Sequence, residues 1–193
     1  MRRVPSPQRR RFVMAGAALV GAATTYGFCA LVARADAPVD GIGSEAHARI
    51  MLRSLGCGEE VDLEYRRGGA IVPAALARID ALLRDPVTGE RGPVDTRLID
   101  FLRAIAGALA VPPEFDVLAA FESPSRAGTL RGSAQAAPAG LHGLGRAIDV
   151  RLHGVTSAQV AVCAAGLSRG GVGYYRAAQC VHVDTGPPRQ WRG

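Results

Sequence analysis

The chain has 193 residues, a length typical of one domain. Its formal net charge is +6, and all 23 basic residues are arginines. Six of these arginines precede Asp36, whereas all 17 acidic residues lie from Asp36 onward, so the remainder of the chain has 17 − 17 = 0 net charge. The basic character therefore belongs to the N-terminal segment. Because a nucleic-acid-binding domain needs a basic face, that class of function is excluded.

The N-terminal segment has the organisation of an export signal. A basic head precedes a mostly apolar run over residues 12–32, and small residues follow at Ala33 and Ala35. Arg9 and Arg10 stand ahead of this Ala- and Gly-rich run, which favours the twin-arginine route and a location in the periplasm or cell envelope. The alternative is an uncleaved membrane anchor, since a run of this length can span a bilayer.

These features predict three segments: an export signal over residues 1–35, a lead-in over residues 36–60 and one domain over residues 61–193. The last segment is long enough for a sizeable core. We expect a monomer that contacts the membrane only through its N-terminal segment, if that segment is uncleaved.

Apolar periodicity predicts the elements of the domain. In chain order they are a strand over 61–69, helices over 73–85 and 94–109, a strand over 114–121, an irregular stretch over 122–140, a strand over 145–152, a helix over 156–170, a Gly-rich stretch over 170–175 and a last strand over 179–186. Helices followed by strands with one helix between them indicate an α+β fold. We expect a small antiparallel sheet with helices packed on one side.

Three cysteines lie beyond the predicted signal: Cys57, Cys163 and Cys180. In an oxidising compartment a disulfide between Cys163 and Cys180 is the pairing we predict. The alternative is three free, buried thiols.

Two predicted strands carry side chains suited to metal binding. The period of two sends Cys180, His182 and Asp184 to one face of the last strand, and it sends Asp149 to one face of the strand before it. If these strands are neighbours, Asp149 and His182 can meet, and His142 can fold over from the preceding loop. Two imidazoles and a carboxylate suit zinc and leave a fourth position open, as in catalytic sites.

The competing interpretation is that these histidines are ordinary core or surface residues. Two further histidines illustrate it. His47 lies in a predicted helical segment and His153 in a turn, and neither receives a role.

Three stretches of the sequence carry a resemblance to a known family. They are LLRDPVTGE, GLHGLGRAIDVRLHGV and GGVGYY followed by VHVDTGPPRQW. Together they resemble the YcbK-like (MepK-like) murein endopeptidase family of zinc peptidases, related to D-alanyl-D-alanine dipeptidases and carboxypeptidases. The resemblance implies an exported hydrolase of peptidoglycan peptides, of endopeptidase or carboxypeptidase type, with His142, Asp149 and His182 as Zn²⁺ ligands.

The sequence departs from the family pattern beside the predicted site. Glu122 stands where the family has an arginine expected to hold substrate or stabilise the oxyanion. Arg126, four residues later, is a candidate substitute, and a solvated loop arginine is the alternative. Gly140 and Cys180 also replace a serine and an aromatic residue that are usual in the family.

Asp184 has two possible roles in a zinc peptidase. As a general base it should titrate near neutrality. As an outer support it should hold a ligand ring nitrogen. The spacing of the strand allows both roles, and we expect the base, with Glu122 as the rival carboxylate.

Two functions of different classes follow from these observations. The first is a zinc-dependent cell-wall peptidase. The second is an exported zinc protein that binds peptidoglycan or a partner without cutting it, which the substitution at Glu122 favours.

Overall fold

The computed structural model describes residues 46–126 and 140–193. The strands are β1 (His47–Ser54), β2 (Glu59–Arg67), β3 (Ala70–Ile71), β4 (Glu114–Ala119), β5 (Ala147–Leu152), β6 (Gly171–Tyr175), β7 (Cys180–Asp184) and β8 (Arg189–Arg192). The helices of ten or more residues are α1 (Pro73–Leu82), α2 (Thr96–Ala108) and α3 (Ser157–Leu167).

The strands form one mixed sheet in the order β3-β2-β1-β4-β5-β7-β6-β8. Two neighbouring pairs are parallel, β1 with β4 and β6 with β8, and the other pairs are antiparallel. The chain runs through α1 and α2 between β3 and β4, and this long connection lets β4 run parallel to β1.

The two faces of the sheet differ in character. Along β5 and β7, Ile148, Val150, Val181 and Val183 point to one face, where they join a single apolar cluster with buried residues of all three helices. The helices therefore pack on one side of the sheet, as predicted. The opposite face of the same strands carries Asp149, His182 and Asp184.

Local sequence explains where the helices begin. Pro73 occupies the first turn of α1, where its missing N–H costs nothing. The Asp95 carboxylate caps α2 by accepting the Arg97 N–H. A capping box between Thr156 and Gln159 starts α3. The three predicted helices are confirmed, although α1 and α3 end three residues earlier than their apolar patterns suggest.

The sheet differs from the one expected. It has eight strands and is mixed, so the prediction of a small, purely antiparallel sheet is wrong. Strand β1 pairs with both β2 and β4, although it lies within residues 36–60, which were predicted to be a lead-in. It begins at His47, so the prediction of a helical segment there is also wrong. At the other edge, β8 pairs with β6 and was not predicted at all. The Gly-rich stretch before the last predicted strand is itself the strand β6.

The three cysteines in the described residues are free. Cys163 lies on α3 with its Sγ 3.8 Å from the carbonyl of Ile105, on the helical side of the sheet. Cys180 lies on the opposite face, where burial and the nearby Asp149 raise the pKa of its thiol to about 11. The sheet separates the two side chains, so the predicted disulfide is wrong.

Residues 46–126 and 140–193 contain no helix long and apolar enough to cross a membrane. The predicted export signal and most of the irregular stretch over 122–140 lie outside the described residues.

Candidate metal centre

The centre is built on the neighbouring strands β5 and β7. Their antiparallel register places Asp149 opposite His182. The Asp149 Oδ1 lies 2.8 Å from His182 Nδ1, and the His182 side chain is 1% exposed. The conditional prediction that these two residues meet across adjacent strands is confirmed.

His142 reaches the same point from the turn that precedes β5. Its Nε2 lies 3.8 Å from Asp149 Oδ1, and its ring centroid lies 5.1 Å from that of His182. The turn closes through a hydrogen bond from the Gly145 N–H to the His142 carbonyl. Gly145 has a φ of +64°, and a Cβ there would lie 1.9 Å from the carbonyl oxygen of Pro93, so only glycine fits.

Each imidazole has its outer nitrogen held by an acceptor. His142 Nδ1 lies 2.6 Å from the carbonyl oxygen of Ala120, the first residue after β4. His182 Nε2 lies 3.1 Å from Asp184 Oδ2. If these outer nitrogens carry the protons, the inner ones, His142 Nε2 and His182 Nδ1, present lone pairs beside Asp149.

The donor set fits zinc. One ligand atom from each of His142, Asp149 and His182 can be chosen so that all three lie within 4.8 Å of one another. Ligand atoms of a tetrahedral zinc ion lie about 3.3 Å apart, given bonds of about 2.0–2.1 Å, so small side-chain adjustments would close the site. Three protein ligands leave a fourth position open, which is the pattern of catalytic sites.

Two carboxylates, those of Asp149 and Asp184, contact the His182 ring. Burial alone would lower the pKa of its imidazole, but the hydrogen bonds with Asp149 and Asp184 outweigh burial and raise it. The ring is therefore held between two carboxylates, one on each nitrogen.

Asp184 is fully buried and has many partners. Its Oδ1 accepts the N–H groups of Gly171 and Gly186, and its two oxygens accept hydrogen bonds from Arg189 at 3.0 and 2.6 Å. Burial would raise the pKa of this carboxyl, but these bonds and the one with His182 lower it well below its usual range. This direction is opposite to the titration near neutrality expected of a base, and the contact of Asp184 with a ring nitrogen is the one expected of an outer support.

Arg126, the predicted substitute for the family arginine, pairs with Asp85 and not with the metal-site residues. Its Nη1 lies 3.3 Å from the carboxylate of Asp85, which is fully buried. Within the described residues no hydrogen bond or ion pair joins Arg126 to the metal-site residues. The proposed replacement of the family arginine by Arg126 therefore finds no support in these contacts.

Glu122 follows β4 on the segment that contacts His142. It lies two residues beyond Ala120, and a Cβ built on Gly143 would lie 3.4 Å from its carbonyl oxygen. The residue is half-buried. Within the described residues its carboxylate makes no hydrogen bond or ion pair.

Three groups around the centre were missed by sequence reasoning: the Ala120 carbonyl, Arg189 and Trp191. A backbone acceptor leaves no mark in the sequence. The other two residues did leave a signal, because the period of two along PRQW sends Arg189 and Trp191 to one face of a strand. Their strand was missed because it is short, lies at the edge of the sheet and follows two prolines.

The donor set of His142, Asp149 and His182 could hold one metal ion, and three protein ligands would leave a fourth position open, as in catalytic sites. Comparison with known proteins gives the family. The family model described as "Peptidoglycan L,D-endopeptidase MepK" matches residues 44–191, and the chain belongs to this peptidase family. The resemblance recognised in the sequence is thereby confirmed.

Individual relatives agree with this result. The probable peptidoglycan L,D-endopeptidase MepK of Haemophilus influenzae is 34% identical over 146 residues, which cover 75% of this chain and 78% of that protein. The peptidoglycan L,D-endopeptidase MepK of Escherichia coli K12 is 28% identical over 143 residues, which cover 74% and 79% of the two chains. No solved structure gave a significant match.

Proposed function

We propose that this protein is an exported, zinc-dependent peptidase that hydrolyses peptide bonds in the cross-links of peptidoglycan. The observation that carries the proposal is the convergence of His142, Asp149 and His182, with both outer ring nitrogens already bound to acceptors. Family membership supports the substrate class, since the relatives are named peptidoglycan L,D-endopeptidases.

In this proposal His142 Nε2, an Asp149 oxygen and His182 Nδ1 hold the metal. Zinc supplies a Lewis acid that polarises the scissile carbonyl and makes water a better nucleophile near neutral pH. The Ala120 carbonyl and the Asp184 carboxylate fix the orientation of the two rings, so the donor set needs little rearrangement.

A peptidase also needs a group that moves protons. Asp184 is unsuited to this task because it is buried and each oxygen is already occupied by strong donors. Glu122 is the better candidate, because its main chain adjoins the His142 turn and its carboxylate has no partner among the described residues. We assign it to accept a proton from the attacking water and return it to the departing amine.

The names of the relatives support a choice of bond. Since they are named L,D-endopeptidases, we expect the L,D bond of a cross-link as the substrate of this chain. Export by the twin-arginine route, proposed from the paired arginines of the N-terminal segment, would bring the folded domain to the cell wall.

The second candidate function is binding of peptidoglycan without cleavage. The observation that favours it is Glu122 itself, since a carboxylate cannot stabilise an oxyanion as the arginine of the family pattern would. The two candidates differ in whether a product forms.

Digestion of purified cross-linked peptide fragments separates them. We would incubate the protein with L,D- and D,D-linked fragments, with zinc, with chelator and after zinc is restored, and detect products by mass spectrometry. The proposal predicts chelator-sensitive cleavage of the L,D bond that returns with zinc.

Two variants complete the experiment. His142→Ala should abolish cleavage, whereas His47→Ala should retain it, because the His47 side chain is 67% exposed on β1 and pairs only with Glu64 among the described residues. Binding of the fragments without any product would establish the second candidate instead. Cleavage that survives chelation would refute the role of the metal.

A further inference from the structure

The edge strand β8 sends two side chains across its neighbour to the metal centre. β8 runs parallel to β6, with Arg189 beside Gly171 and Trp191 beside Gly173. β6 in turn pairs with β7 and sets Gly173 beside His182. Two rows of residues therefore cross the sheet on the site face, and in each row the middle strand contributes only a glycine.

The first row joins Arg189 to Asp184. The guanidinium binds the carboxylate through two nitrogens, at 3.0 and 2.6 Å. A Cβ on Gly171 would lie 2.3 Å from Asp184 Oδ2 and 2.4 Å from Arg189 Nη1. Gly171 therefore leaves the space through which the arginine reaches the carboxylate.

The second row joins Trp191 to His182. The two ring centroids lie 5.1 Å apart, and a Cβ on Gly173 would lie 2.5 Å from the indole. The indole N–H donates to the Tyr175 hydroxyl at 3.2 Å, and the Arg189 guanidinium carbon lies 5.0 Å from the indole centroid. The indole thus has a fixed position beside the histidine.

Neither glycine is required by its backbone, because neither φ lies in the left-handed region. Glycine inside a strand costs stability and commonly marks a close approach of another group. Here the approaching groups are the Arg189 guanidinium and the Trp191 indole.

We propose that Arg189 and Trp191 are positioning residues of the metal centre: Arg189 holds Asp184 against His182 Nε2, and Trp191 restrains the same ring from the side. The inference rests on the proposed zinc site. It gives β8 a specific task, which is to keep Nδ1 of His182 directed towards Asp149 and His142.

The chemistry of the pair explains why an arginine is used. A planar guanidinium can donate to both oxygens of one carboxylate, whereas a lysine ammonium is a single point donor. Without Arg189, Asp184 would keep its two backbone donors but lose the pair of bonds that sets the plane of its carboxylate. The His182 ring would then lose its fixed acceptor.

The test compares zinc affinity in the full chain and in Arg189→Gln, Arg189→Lys and Trp191→Leu. Arg192→Gln is the matched control, since Arg192 lies on the same strand but is exposed. Affinity is measured by competition with a chromogenic chelator, and the absorption spectrum of the Co²⁺-loaded protein reports the ligand geometry. Thermal melting of the metal-free proteins measures the fold separately.

Loss of the acceptor that holds a ligand histidine costs roughly 10- to 100-fold in metal affinity. Because Arg189 acts on that acceptor, we expect Arg189→Gln to weaken zinc binding towards the lower end of this range, by roughly 10-fold, and to alter the Co²⁺ spectrum. Arg189→Lys should recover part of the affinity. Trp191→Leu should alter the spectrum without any change of charge, and Arg192→Gln should match the original protein in both measurements.

The outcomes separate this inference from the function on which it rests. If the unsubstituted chain binds no zinc, both are overturned. If it binds zinc but Arg189→Gln and Trp191→Leu bind it equally well with the same Co²⁺ spectrum, only the positioning role is refuted. If Arg189→Gln fails to fold, Trp191→Leu decides alone by the same two measurements.

Discussion

Glu122 is the residue on which the proposed chemistry depends most. We predict that Glu122→Gln retains zinc but lowers turnover of an L,D-linked fragment by roughly 100-fold or more, because the amide cannot accept the proton of the attacking water. Zinc content and steady-state rates measure the two effects. Glu60→Gln, an exposed change on β2, should leave both unchanged.

Two other results for Glu122→Gln would contradict this role of the carboxylate. If Glu122→Gln retained full turnover, proton transfer would have to be assigned to another group. A loss of zinc together with turnover would place Glu122 among the groups that hold the metal.

At the residue scale, the candidate metal ligands are easier to predict from the sequence than the residues that hold those ligands in place. The period of two allowed Asp149 and His182 to meet only if their strands were neighbours, and the family resemblance was needed to predict His142, Asp149 and His182 as one ligand set. The role of Asp184 could not be predicted, because the same spacing allows a base and a support. The difference depends on its bonds to Arg189 and two backbone N–H groups, which only the folded sheet brings together.

At the scale of elements, a buried carboxylate fixes the loop after α1 to the segment that follows β4. Asp85 accepts the backbone N–H groups of Val87 and Ser123, each at 2.9 Å, and pairs with Arg126. This contact gives a structural role to Asp85 of the stretch LLRDPVTGE. It also anchors Ser123, the residue that follows Glu122.

We predict a pH-dependent contribution of Asp85 to stability. Burial would raise the pKa of its carboxyl, but hydrogen bonds from Ser123, Val87 and Thr88 outweigh burial and lower the pKa to about 2. Because the folded pKa is depressed, the stabilisation is complete above the unfolded pKa near 4 and is lost as the pH falls through about 2. Its full value is about 2 kcal/mol.

Urea unfolding measures this contribution. Asp85→Asn should lower the free energy of unfolding by about 2 kcal/mol at pH 7, and its deficit should shrink towards pH 2. Asp62→Asn removes an ion pair with Arg49 in which both side chains are exposed, so it should change the free energy of unfolding by less than about 0.5 kcal/mol. An equal effect of the two substitutions would contradict the role of Asp85.

The predicted elements succeeded where periodicity is strong, and they failed at the two edges of the sheet and at the internal strand β1. α2 has an apolar stripe and a capping residue, Asp95, and both can be recognised in the sequence. β3 and β8 are short, and their positions depend on partners distant in the chain. β1 alternates well, but its place between β2 and β4 depends on a parallel pairing that no local pattern encodes.

At the scale of the whole molecule, charge divides the chain into two parts. The arginines of the N-terminal segment account for the net charge, and the remainder is neutral. We predict that residues 1–40, fused to a reporter that works only after folded export, lose activity when Arg9 and Arg10 become lysine. Paired arginines are read by a receptor and not merely as charge. Equal export by the double-lysine version would indicate the general secretory route.

The most direct test of the proposed metal centre is anomalous X-ray diffraction at the zinc edge from crystals of the zinc-loaded protein. We predict one peak about 2.0–2.2 Å from His142 Nε2, an Asp149 oxygen and His182 Nδ1, with His182 Nε2 still on Asp184. A peak bound instead through His182 Nε2, or no peak at these residues in zinc-loaded crystals, would contradict the proposed centre and the peptidase activity derived from it.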